Sequence, residues 1–245
     1  MQIKICIQYK GTEYVGWQRQ KNGLSIQEIL EKKLKKILKE NISLVGSGRT
    51  DAGVHALNQI AVFKIIKKTN LEGLKFKLNK LLPEDIKVLK AEKVSDNFHP
   101  QFDAKNKTYI YKIKTLKELT VFEKNLFLFY KEKLDLDKLQ NIINYFKGVK
   151  DFQNYTKKGY SGKTTIRKVE NIKIIKRGVY FTFTITGNGF LRGMVRLIVG
   201  AILNYSKGSV TLEEIKNSLK KPYKKLSKNY SVPPHGLYLK KVRYK

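Results

Sequence analysis

The apolar residues of this chain switch repeatedly between a period of two and a period of 3.6, and that switching restricts the fold more than any other feature. Residues 2–9 alternate as a half-buried strand does. From residue 25 the spacing becomes helical: Ile26, Ile29, Leu30, Leu34, Ile37 and Leu38 share one face, and Ser25 with Glu28 has the form of a capping box. Lys32, Lys33, Lys35, Lys36 and Lys39 largely cover the other side, which reads as a solvated face. A short strand over 42–46 leads into a glycine-rich loop at 46–53. A strand at 59–66, a helix near 69–81 and a strand near 86–94 follow.

The second half repeats the alternation loosely. Strands are expected at 107–115 and 125–130. A helix after Asp135 puts Leu136, Leu139, Ile142, Ile143 and Phe146 on its core face. Strands at 165–176 and 178–187 flank a tight turn at Arg177-Gly178. The apolar run from Phe190 to Tyr205 reads as a helix. Thr211 with Glu214 marks another capping box, and 236–243 a last strand. Strands and helices that alternate twice, with hairpins in each half, indicate an α+β class in two related halves whose sheets join. The segment 95–105 divides them into an N-terminal subdomain, residues 1–104, and a C-terminal subdomain, residues 105–245.

Composition narrows the class of partner. The 245 residues are 41% hydrophobic, which argues against a disordered chain, and no stretch is a long uninterrupted apolar run. Residues 1–7 alternate rather than form a signal peptide, so a cytoplasmic protein is expected. Cys6 is the single cysteine, and with scattered His55, His99 and His235 it offers no metal-ligand spacing. The formal charge of +31 favours a polyanionic partner. Lysine supplies most of that charge. The seven arginines are Arg19, Arg49, Arg167, Arg177, Arg192, Arg196 and Arg243, and they mark places where a planar, bidentate cation matters.

The sharpest motif is Gly46-Ser47-Gly48-Arg49-Thr50-Asp51-Ala52-Gly53-Val54-His55-Ala56. Its glycines allow tight turning and close approach to a ligand. It is not a phosphate loop, because no Gly-Lys-Ser/Thr follows at the required spacing. Nor is it a dinucleotide loop, because Asp51 takes the place of the last glycine. From spacing alone, an Asp that caps the turn is the simpler reading.

The segment Gly48–Ala56 resembles the active-site motif of the tRNA pseudouridine synthase A family. Other segments are similar to that family in the same order: Tyr14-Val15-Gly16-Trp17-Gln18-Arg19-Gln20, Phe98-His99 with Phe102 and Ala104, Lys107-Thr108-Tyr109-Ile110-Tyr111, Phe190–Arg196, and Pro233-Pro234-His235-Gly236-Leu237. The resemblance spans essentially the whole chain. It implies that Asp51 is the catalytic residue and that Tyr109 and Arg196 belong to the active site. Arg49 is expected to hold RNA phosphate or extrude the base, with loop stabilisation as its alternative. The implied fold is two ferredoxin-like or RRM-like subdomains joined through an extended antiparallel sheet, with the active site in the cleft between them. The implied substrate is tRNA, at uridines 38, 39 or 40 of the anticodon arm, and the implied assembly a homodimer. Lys10, where an acid is common in the family, and Pro100-Gln101, in place of a frequent Ala-Arg, depart from its pattern.

The chemistry suits these residue types. Pseudouridine formation breaks the bond from C1′ to N1, turns the base and rejoins it through C5, so no redox step or imported group calls for a cofactor. A carboxylate can attack uracil C6 or ribose C1′ as a nucleophile, or remove the C2′ proton as a base. The sequence leaves all three open. Each needs ionised Asp51, which a nearby cation such as Arg196 favours. The uridine must leave its stack, and Tyr109 offers it an aromatic face. Arg192, one turn before Arg196, is placed for a phosphate. Tyr111 reads as packing, and His55 as structural. The stretch Lys157, Lys158, Lys163, Arg167 and Lys168 around Gly159 and Gly162 reads as a basic loop, either gripping tRNA or merely solvated.

Three other readings compete. A non-catalytic RNA-binding protein fits the charge but leaves Asp51, Tyr109 and Arg196 unexplained. A synthase with another RNA target is favoured only by Gln101 and the basic loops. A glycosidase normally uses two flanking acids, and no second acid stands beside Asp51 in the sequence.

Overall fold

The computed structural model describes residues 1–157, 159, 162–220 and 222–244. The chain is mixed α+β and divides into two compact units. The first comprises Met1–Lys105 with Tyr238–Lys245, and the second Asn106–Leu237. The return of the C-terminal residues to the first unit is a feature that a linear division at 104/105 does not include.

In the first unit, β1 (Gln2–Tyr9) lies between β3 (His55–Lys64) and β4 (Ile86–Val94), antiparallel to both. The short β2 (Val45–Gly46) pairs antiparallel with one end of β3. The last strand, β10 (Leu237–Tyr244), joins the other end in parallel, with Tyr238 opposite His55. Ile3, Ile5, Ile7 and Tyr9 alternate onto a buried face of β1, as period two requires. Helix α1 (Ile26–Leu38) buries Ile26, Ile29, Leu30 and Leu34, and α2 (Leu71–Leu81) buries Leu74 and Leu78. Ser25 caps α1 by accepting from the Glu28 N–H. The Glu28 carboxylate pairs with Lys32 one turn on.

The expected strand at 42–46 contracts to two residues. The Leu44 N–H donates to the Glu31 carboxylate at 2.8 Å, so that backbone group is satisfied by a side chain of α1 rather than by a strand. Conversely, β3 begins four residues before the expected 59, because His55 and Ala56 already pair with β10.

The second unit contains β5 (Ala104–Thr115), β6 (Leu128–Tyr130), β7 (Gly148–Asp151), β8 (Ile166–Arg177) and β9 (Tyr180–Gly187). β9 lies between β5 and β8 and is antiparallel to both; β7 continues the sheet beyond β8, and β6 runs parallel to β5. The β8–β9 turn is Gly178-Val179, with Gly178 at φ +58°, a left-handed value that glycine takes without strain. Helices α3 (Leu136–Ile143), α4 (Met194–Ser206) and α5 (Leu212–Ser218) complete the unit. Phe146, Phe152 and Tyr155 are fully buried, and both phenylalanines meet Tyr155 edge-on. The capping box of Thr211 and Glu214 is present in both directions. Helix α4 starts at Met194 rather than Phe190, because Gly193 adopts φ +72° and ends the preceding loop. Strand β7 has no counterpart in the sequence pattern, since Gly148 and exposed Val149 do not alternate with buried residues.

Candidate active site

The expected site residues divide between the units: Arg49 and Asp51 lie in the first, Tyr109 and Arg196 in the second.

Asp51 sits on the loop from β2 to β3, and that loop is clamped by the segment after β1. Gly16 and Asp51 form an isolated antiparallel bridge. The Trp17 N–H donates to the Thr50 carbonyl at 3.1 Å, and the Gly53 N–H to the Tyr14 carbonyl at 3.3 Å. The same segment is tied to α1, since Ile26 and Gln27 donate to the carbonyls of Gly16 and Trp17. Two glycines make the approach feasible. A Cβ on Gly11 would fall 2.0 Å from the Val54 carbonyl oxygen, and one on Gly16, at φ +110°, 2.5 Å from that of Thr50. Side chains secure the loop from below. Tyr9 and Thr50 share a buried hydroxyl hydrogen bond of 2.8 Å, the Ser47 hydroxyl donates to Gln59 at 2.6 Å, and the Gln59 amide donates to the Gly48 carbonyl at 2.8 Å. His55 is 1% exposed; its Nδ1 accepts from the Gly11 N–H at 2.9 Å and its ring lies against Tyr238. Above this scaffold Asp51 is partly exposed and Arg49 exposed. A rigid base beneath a partly exposed Asp is what a reacting group requires.

Glu31 organises this region, and nothing in its sequence position marks it. It is buried on α1, where it accepts from Gln27 at 2.9 Å and from Leu44, and its other oxygen lies 3.4 Å from Arg19. One carboxylate thus links the Tyr14–Gln20 segment, the helix and the strand that delivers the Asp51 loop.

In the second unit Tyr109 lies on β5 opposite Ile185, 9% exposed, with its ring edge-on to Phe190 at 5.1 Å. Phe190 belongs to the loop that leads into α4, and Arg196 is in the first turn of that helix. A cation there opposes the helix dipole, so its placement serves something other than helix stability. Arg196 is 8% exposed and donates from Nε to the Val232 carbonyl at 2.6 Å, while the Val232 N–H returns to the Arg196 carbonyl. Tyr111, fully buried on the same strand face as Tyr109, donates to the Pro233 carbonyl at 2.8 Å. Burial pushes its hydroxyl far above the ordinary tyrosine range. A Cβ on Gly236 would fall 2.7 Å from the Tyr111 ring. The Val232–Gly236 segment is therefore a strap laid over β5 and bonded through Val232 to Arg196. Burial, then the charge of Arg196, hold His235 below the usual imidazole value.

Lys107 shares this face of β5. Burial pulls its ammonium down to about 8. Its only signal in the sequence is the period-two relation to Tyr109, hidden where lysine is the default cation. Of the basic loop, Lys158 lies outside the described residues. Lys157 donates its N–H to the Arg192 carbonyl, and Gly159 approaches the Arg192 guanidinium.

Comparison with known proteins decides the family. A family model described as tRNA pseudouridine synthase matches residues 5–103 and 142–245. The chain belongs to the tRNA pseudouridine synthase family. It is 40% identical over 257 residues to the tRNA pseudouridine synthase A of Thermodesulfovibrio yellowstonii, covering 99% of both chains. It is 39% identical to that of Clostridium kluyveri, and 38% to the tRNA pseudouridine synthase A 2 of Clostridium perfringens, again over 99% of each chain. The segments matched to the family model contain Arg49, Asp51 and Arg196 and leave Tyr109 in the interval between them. Among the described residues no helix is long and apolar enough to cross a membrane.

Proposed function

We propose that this protein isomerises uridine to pseudouridine in tRNA, at position 38, 39 or 40 of the anticodon arm, with Asp51 as the catalytic carboxylate. The observation that carries the reading is the Asp51 loop, clamped through Gly16, Trp17 and Gly53 while Asp51 itself is partly exposed. The carboxylate attacks C6 or C1′, or removes the C2′ proton; each route requires the flipped base beside it. Tyr109 offers that base an aromatic face, Arg196 favours the ionised carboxylate, and Arg49 takes phosphate or holds the strand open. The reading includes two related ferredoxin-like subdomains and a homodimer in the cytoplasm.

The test is pseudouridine mapping by carbodiimide labelling and primer extension on an unmodified tRNA transcript. Wild-type protein produces stops in the anticodon arm, and Asp51→Asn produces none while binding tRNA within a few fold of wild type. Full activity in Asp51→Asn removes the assignment. Binding without stops by the wild-type protein directs attention to another RNA target.

A further inference from the structure

A turn in the first unit presents an aromatic ring that the proposed reaction does not use. Residues 99–103 close tightly: the His99 N–H donates to the Asp103 carboxylate at 2.9 Å, and the Asp103 N–H to the His99 carbonyl at 3.0 Å. The Nδ1 of His99 accepts from the N–H groups of both Gln101 and Phe102, each at 3.2 Å. The imidazole is thereby fixed inside the turn. The Phe102 ring stacks on it, centroids 4.1 Å apart and planes 25° from parallel. The base of the turn is also anchored. Tyr244 donates its hydroxyl to the Pro100 carbonyl at 2.8 Å, and its ring meets Phe98 edge-on at 4.9 Å.

Phe102 is nevertheless 77% exposed. A phenyl ring held flat by one stacking partner and open to solvent is a pre-oriented surface that loses little freedom on binding. We propose that Phe102 is a stacking platform for an unpaired nucleobase of the tRNA, with His99 backing its inner face. The inference rests on tRNA being the substrate. A base needs one ring face, whereas a protein partner needs a broad apolar patch. Beside Phe102 in the chain the exposed residues are Gln101, Asp103 and Lys105, all polar. The charge of +31 favours a nucleic acid on this molecule.

The experiment compares wild type, Phe102→Ala and Phe102→Trp by filter binding to a tRNA transcript, by single-turnover pseudouridine formation at saturating protein, and by light scattering. Phe102→Ala is expected to weaken binding by roughly 5- to 150-fold, with the saturated rate, the unfolding temperature and the molecular mass unchanged. Phe102→Trp restores affinity. Wild-type affinity in Phe102→Ala overturns the platform, and so does a changed mass, which makes the ring a subunit contact. If wild-type protein itself neither binds nor modifies tRNA, the functional reading falls, an outcome separate from any difference between the variants.

Discussion

Gly16 and Asp51 are joined by a backbone bridge, in a geometry that only a residue without a side chain permits. Gly16 stands at φ +110°, and a Cβ there would lie 2.5 Å from the Thr50 carbonyl oxygen. Gly16→Ala is expected to cost about 1–3 kcal/mol in backbone strain and to displace the Asp51 loop. Because ~1 Å of misplacement can cost about 100-fold in rate, turnover falls by more than tenfold. Urea denaturation and single-turnover assays check both effects; an active, stable Gly16→Ala protein contradicts the clamp.

Tyr111→Phe isolates the strap across β5. The change leaves the Pro233 carbonyl without its buried donor, next to the Val232 carbonyl that receives Arg196. A loss of about 1–2 kcal/mol in stability is expected. The turnover number is expected to fall more than tRNA affinity does, because Arg196 shifts with the strap. Equal losses in both quantities are the result that contradicts a positioning role.

Lys107 predicts a specific pH dependence. Its folded value of about 8 lies below its ordinary 10.5, so between these limits the unfolded chain binds the extra proton. Stability contributed by this group therefore rises with pH across that window, and the burden of the buried charge is full below it. Lys107→Met is expected to unfold at a higher temperature than wild type at pH 7, with the gap narrowing as pH rises from 8 toward 10.5. A gap that stays constant with pH excludes a buried ammonium here.

The charge of +31 predicts that tRNA affinity falls steeply and linearly in a plot of log Kd against log salt. Asp51→Asn leaves the slope unchanged, since the carboxylate makes no phosphate contact in the proposed reaction. A nearly flat plot for wild type removes the electrostatic argument.

Much of this molecule is legible in one dimension. The helical period locates α1, α2 and α3, and Ser25 and Asp135 mark where α1 and α3 begin, because apolar stripes and first-turn acceptors act within a few residues. The Arg-Thr-Asp motif and the segments that follow it in order pointed to the family. Errors gathered where a distant group decided an element's end. β2 is short because Glu31 takes the Leu44 N–H, and β3 starts early because β10 reaches it from the other end of the chain.

What the sequence determined by itself was local: the strand and helix periods, the caps, the basic charge and the identity of the motif residues. Only the tertiary structure decided which residues support them. The contact from Gly16 to Asp51, the Glu31 hub and the hydrogen bonds from Tyr111 and Arg196 to the 232–233 strap all join positions far apart in the chain. Such contacts leave little periodic trace, because a buried polar group is satisfied by whichever partner folding brings to it, not by one at a set spacing.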